Sequence, residues 1–262
     1  MKKQILSSVL ALASLGATVS LLAQAPAGAG ATKGKGKAPA APAAPAPKLP
    51  DGSPDLSGVW TGFGSNAGDI SSALKPGSSV EMLPWAVDKM KTLKSQDDPQ
   101  ANCMPSGIPR GNPYPWRIVQ FPTHKAATHI WILYEGNIHS FRQIFMDGRP
   151  HPEDPDPTWW GHSTGKWEGD TLVVDTMGFN DKFWFDYLGH PHTEKLHTIE
   201  RFRRTDMNTL EMEVTIEDPG TYTTPFTTVG RARLMPGEEL MEYVCQENNI
   251  DLEHVNAPAQ LP

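Results

Sequence analysis

From Leu210 to Glu217 apolar and polar residues alternate without a break, with Leu210, Met212, Val214 and Ile216 set against Glu211, Glu213, Thr215 and Glu217. Side chains of an extended strand point to opposite faces in turn, so this segment can bury one face and must expose an acidic one. Antiparallel strands joined by short turns supply a sheet of that kind, dry on one side and wet on the other. Seven further segments have strand composition: Trp116 to Phe121, Thr128 to Glu135, Ile138 to Met146, Thr171 to Thr176, Leu196 to Arg204, Phe226 to Leu234 and Leu240 to Gln246. Gly136-Asn137, Asp147-Gly148 and Glu168-Gly169-Asp170 punctuate them as tight turns. Only Glu81 to Ser95 reads as a helix, with Pro84 suited to its first turn. One short helix among eight or nine strands does not suit an α/β fold. The expected fold is all-β, an antiparallel up-and-down barrel, because closure removes the exposed edges that an open sheet must protect.

The N-terminal 50 residues lie outside that pattern. Lys2 and Lys3 lead into an apolar run from Ile5 to Leu22 followed by small residues at Ala23 and Ala25, the order of a secretory signal peptide, here residues 1–25. Residues 26–50 are almost entirely Ala, Pro, Gly and Lys, which cannot bury enough apolar surface to order themselves, and are expected to form a disordered linker. A single domain then occupies residues 51–262. The 23 basic residues of the chain, less the six lysines that precede Pro50, leave 17 against 30 acidic ones, a net charge of −13 in the domain. Nucleic acid is excluded as a partner by that balance. No run after the signal approaches the roughly 18 apolar residues needed to span a bilayer. The expected location is periplasmic or secreted, and in an oxidising compartment the only two cysteines, Cys103 and Cys245, are expected to pair.

Gly58-Val59-Trp60 is similar to the Gly-x-Trp of lipocalins and other calycin barrels. That resemblance implies that Trp60 plugs one end of the barrel and meets an arginine from a late strand, a part open to Arg231 or Arg233. Over a longer span, Asp147-Gly148-Arg149-Pro150-His151-Pro152, the run Gly161-His162-Ser163-Thr164-Gly165-Lys166-Trp167-Glu168-Gly169-Asp170-Thr171-Leu172-Val173-Val174-Asp175-Thr176, and Glu200-Arg201-Phe202 resemble a group of exported bacterial proteins. The resemblance implies a shared fold and carries no reaction with it.

Three constellations could carry chemistry. Gly161-His162-Ser163-Thr164-Gly165 matches the nucleophile elbow G-x-S-x-G, but the elbow needs a strand turning into a helix, and Lys166 to Thr176 reads as turn and strand, which rejects a serine hydrolase. His190-Pro191-His192 resembles the His-x-His of cupin metal sites. Glu194 follows too closely for the cupin spacing, so a metal site at His190 and His192, completed by His162 or His197, stands against a reading of plain surface histidines. Alternation along Leu196 to Arg204 turns Leu196, Thr198, Glu200 and Phe202 inward and His197, Ile199, Arg201 and Arg203 outward, while Arg142 shares a face with Ile138, Ile144 and Met146. An inward Glu200 and an inward Arg142 need each other as a buried ion pair, or else present a ligand anchor and a carboxylate for proton transfer.

Eight tryptophans fall between Trp60 and Trp184, and Trp159, Trp160 and Trp184 join Arg142 as candidate ligand contacts, with Trp159 and Trp160 expected on opposite faces. The candidates for acid–base work are His162, Asp175, His190, His192 and Glu200. The expected function is an exported barrel that binds a small, largely apolar or aromatic molecule, with isomerase or lyase chemistry that needs no cofactor. The alternatives are a non-enzymatic carrier or envelope interaction protein, and a histidine-metal enzyme.

Overall fold

Each alternating segment becomes a strand, and the strands close on themselves. The computed structural model describes residues 43–62, 68–110, 114–121, 128–136 and 140–247. Its strands are β1 Gly58–Thr61, β2 Trp116–Gln120, β3 His129–Tyr134, β4 Phe141–Phe145, β5 His162–Glu168, β6 Thr171–Met177, β7 His197–Asp206, β8 Thr209–Glu217 and β9 Phe226–Leu234. They form a closed barrel in sequence order, sealed by β1 against β9 through Trp60 with Leu234 and Thr61 with Arg233. The one α-helix among the described residues, α1 Pro84–Thr92, carries Pro84 in its first turn as expected. It is shorter than the Glu81 to Ser95 segment because Met82 and Leu83 pair instead with the chain at Thr221 and Tyr222.

All neighbouring strands are antiparallel except β4 and β5, which run parallel and share only the pairs Ile144 with Ser163 and Phe145 with Thr164. Parallel neighbours need a long return connection. Met146 to Gly161 supplies it, which is why Asp147-Gly148 is a bend leaving the sheet and not a hairpin turn. By contrast Gly169 adopts a left-handed φ of 61° and closes the expected β5–β6 hairpin.

The inward face alternates along every strand. Leu210 and Met212 of β8 belong to one apolar cluster with Trp60, Trp116, Ile118 and Phe202, while Val214 and Ile216 of the same strand belong to another with Phe179, Phe183, Tyr222 and Phe226. A polar layer lies where the clusters meet. Thr228, Val214, Glu200 and Val174 are in register across β9 to β6, and Thr198, Thr176 and Ser163 form the adjoining row.

Three sequence expectations are corrected by long-range packing. Leu240 to Gln246 is not a strand, since β1 and β9 already pair and leave no free edge for it; Met241 N–H instead donates to Glu135. Trp60 is buried and its indole N–H donates to Leu56 O, but the arginine over its ring is Arg204 of β7, 5.1 Å from the centroid. Arg231 and Arg233 alternate outward from Ala232, and Arg231 pairs with Glu211 at the surface. The linker boundary also moves: residues 43–50 lie against the barrel, with Ala44 O accepting from Met207 N and Lys48 paired to Asp170. The signal peptide over residues 1–25 and the linker as far as residue 42 fall outside the described residues.

Cys103 and Cys245 form the expected disulfide. It ties the loop before β2 to the segment after β9, not to a last strand. No helix among the described residues is long and apolar enough to cross a membrane.

Candidate active site and binding cleft

Alternation places Arg142 on the inner face of β4, and its guanidinium reaches across the β4–β5 join. Nη1 and Nη2 donate to Glu200 Oε1 and Oε2 at 3.0 and 2.5 Å, Nη2 also donates to Thr176 Oγ1 at 2.7 Å, and Nε donates to Ser163 Oγ at 3.0 Å. Both partners of the pair are buried. Burial alone would lower the Arg142 pKa, but the Glu200 charge and hydrogen bonds outweigh it and hold the guanidinium above its usual value. Glu200 has both oxygens engaged by the Arg142 guanidinium, the geometry of a structural counter-ion. Ser163 of the G-x-S-x-G run is an inward residue of β5 bonded to Arg142 and Thr176, which confirms that no elbow forms there.

Because β4 and β5 pair over two residues only, they part beyond Ile144 and Ser163. The gap is a cleft of about 550 Å³ walled by Phe141, Phe145, Trp159 and Trp160, with Arg142 and Ser163 at its floor and His162 on its rim. That volume lies within the range of small-molecule sites. Gly161 makes the geometry possible: its φ of 65° turns the chain between Trp160 and His162, and a Cβ there would sit 2.7 Å from Met177 O. Trp159 and Trp160 precede the strand and both line the cleft, so they do not split to opposite faces. Trp160 stacks on Tyr134 at 4.6 Å.

A chain of polar side chains runs from the rim across the outer faces of β5 to β8. His162 Nδ1 and His151 Nδ1 are 2.8 Å apart, His151 Nε2 is 3.0 Å from Asp175 Oδ1, His197 Nε2 is 2.9 Å from the same oxygen, and His197 Nδ1 is 3.0 Å from Glu217 Oε2. A carboxylate only accepts, so His151 Nε2 carries the proton given to Asp175. In the tautomer with His151 Nδ1 as acceptor, His162 Nδ1–H donates to it and His162 Nε2 carries the lone pair. Burial, with His151 and Arg149 adding to it, lowers the His162 pKa and so disfavours protonation of that ring. His197 differs, because both of its nitrogens face carboxylates. Burial would lower its pKa, but the hydrogen bonds to Glu217 and Asp175 prevail and raise it. Asp175, hydrogen-bonded to His197 on one side, thus orients on the other a pair of imidazoles that ends on the cleft.

The other candidates are elsewhere. Trp184 is buried beside Gly189 and does not line the cleft. His190 donates Nδ1–H to the buried Asp186 at 2.6 Å, an anchor that also accepts from the backbone N–H of Ile70, Leu188 and His190. His192 lies between Phe183 and Phe185, with Nδ1–H donating to Thr193 O, and burial lowers its pKa to about 4. Both histidines are therefore buried and are not surface residues. Among the described residues the one grouping with metal-ligand spacing is Asp69, Asp186 and His190, which takes in neither His192, His162 nor His197. Asp186 is already saturated by four N–H donors, so the set offers a cation little beyond what the fold uses.

Comparison with protein-family models, curated proteins and solved structures finds no match for this chain. Two members of the relay, His151 and Glu217, escape a sequence reading. Glu217 faces outward by the same alternation that turns His197 outward, so their pairing was open to inference once β7 and β8 were neighbours. His151 sits in an irregular return loop where no periodicity reports direction.

Proposed function

We propose that the chain is an exported β-barrel protein which binds a small, largely apolar, ring-bearing molecule in the cleft between β4 and β5 and performs acid–base chemistry on it with His162 as the proton acceptor. The observation that carries this reading is the hydrogen-bonded run Asp175, His151, His162, which ends at the rim of an aromatic-walled cleft. An imidazole whose tautomer is set by a second group and whose pKa is kept low is suited to general base catalysis near neutral pH, and no cofactor is needed. Export is supported by the signal-like residues 1–25 and by the disulfide. A carrier is the second reading, favoured by the filled barrel interior in which Glu200 is held by Arg142.

Titration with N-phenyl-1-naphthylamine, an uncharged fluorescent probe of apolar sites, tests the binding step. The parent protein is expected to bind it, and Trp159→Ala combined with Phe141→Ala to weaken binding by about tenfold, the effect of losing roughly 1.4 kcal/mol of contact. Equal binding by parent and variant would remove the cleft as the site. Finding Met1 by N-terminal sequencing of protein recovered outside the cytoplasm would overturn signal cleavage.

A further inference from the structure

Two buried polar atoms beside the cleft, Ser140 Oγ and Trp160 Nε1, have no hydrogen-bond partner among the described residues, and a third, Tyr134 Oη, has the Arg142 guanidinium as its polar neighbour and so keeps its own O–H to donate. They belong together. Ser140 and Trp160 line the cleft, Tyr134 stacks on Trp160, and Tyr134 N–H donates to Ser140 O. Leaving such a group unsatisfied is costly, so two of them beside the Tyr134 hydroxyl point to a polar occupant of this part of the site. The indole N–H only donates, a phenol is a good donor, and a serine hydroxyl can donate, so the occupant has to accept. The charge of the floor is already balanced, because Arg142 is matched by Glu200. An anionic head would meet no uncompensated cation there, while an uncharged acceptor would meet two or three donors.

We propose that the cleft takes an uncharged carbonyl compound with an apolar ring system, its oxygen placed among Tyr134, Trp160 and Ser140 and the adjacent carbon presented to His162. The proposal rests on the cleft-binding reading above. In the step it implies, His162 Nε2 takes a proton from the carbon next to the carbonyl. The C–H bond breaks, its electron pair forms a carbon–carbon double bond, and the carbonyl π pair moves to the oxygen, where the donors stabilise it. The protonated His162 then returns the proton to carbon, either to the same atom or, in a conjugated substrate, to one further along. No oxidant, reductant or co-reactant enters.

The test uses the intact disulfide-bonded protein with 1-tetralone, tetralin, which is the same skeleton without the carbonyl, and 1-naphthoate, which is anionic. Calorimetric titration is expected to show 1-tetralone binding about tenfold more tightly than tetralin, the worth of one additional hydrogen bond, and 1-naphthoate no more tightly than tetralin. Tyr134→Phe should shrink the preference for the ketone while leaving tetralin affinity unchanged. In D2O, the parent should speed deuterium entry at the carbon beside the tetralone carbonyl, and His162→Gln should lose that acceleration while still binding the ketone. Equal affinities for 1-tetralone and tetralin overturn the carbonyl assignment, leave apolar binding intact and assign the three polar atoms to water. Tightest binding by 1-naphthoate overturns the neutral floor. A ketone preference without His162-dependent exchange overturns the proton transfer. Binding of none of the three overturns the cleft reading itself.

Discussion

Replacing Glu200 by glutamine changes one atom and should unsettle the whole barrel. The parent carboxylate accepts from both terminal nitrogens of Arg142, and both side chains are about 1% exposed. The amide of Glu200→Gln keeps one acceptor but turns an NH2 toward one Arg142 nitrogen, setting donor against donor. Thr176 and Ser163 still accept from Arg142, yet neither carries charge, so the guanidinium remains buried without a counter-ion. Removing one partner of a buried pair costs about 3–5 kcal/mol, a large share of the roughly 5–15 kcal/mol that holds a domain together. Urea denaturation of the oxidised protein, followed by tryptophan fluorescence and by circular dichroism, measures the loss. Arg142→Met with Glu200→Leu removes both charges and should be less destabilised than the sum of its single variants, by roughly 1–3 kcal/mol. If Glu200→Gln falls within about 1 kcal/mol of the parent, or the double variant equals the sum, the pair does not act as a coupled buried unit and the layer is wetter than described.

His192 should make the fold sensitive to acid: with a pKa of about 4 folded against 6.5 for an ordinary histidine, only the unfolded chain takes up its proton as pH falls below 6.5, so stability drops by about 2 kcal/mol between pH 7 and pH 5. The slope should flatten in His192→Phe, whereas His197, with its raised pKa, contributes stability that is present at low pH and lost as pH rises; an unchanged slope in the variant would remove His192 as the cause. Reducing the disulfide, whose partners are 142 positions apart, should cost up to about 4–5 kcal/mol by the chain-entropy argument. It should also weaken N-phenyl-1-naphthylamine binding, because Pro105 of the tethered loop lines the cleft; an unaltered urea midpoint after complete reduction would show the tether to be energetically idle.

The sequence by itself determined what depends on neighbours along the chain. Period-two alternation reports which face each side chain takes, so the all-β class, the inward Glu200 and Arg142 and the outward His197 were legible before any strand was paired. The cysteine pair was legible for a different reason, since two cysteines in an oxidising compartment have one intramolecular pairing open to them. What alternation cannot carry is the distance between segments far apart in sequence. Sequence offered Arg231 or Arg233 as the arginine over Trp60, and only the closed register showed that Arg204 of β7, on the same face as Phe202, takes that place. The parallel join of β4 and β5, and with it the cleft, follows from a return loop rich in proline whose course is set by what it packs against. His151 reaches both His162 and Asp175 from that loop, and His190 and His192, alternate residues of an irregular segment, separate onto Asp186 and the Phe183–Phe185 pair. A strand's direction of side chains is local geometry, while the meeting of a loop with a sheet is decided by the packing of the whole barrel.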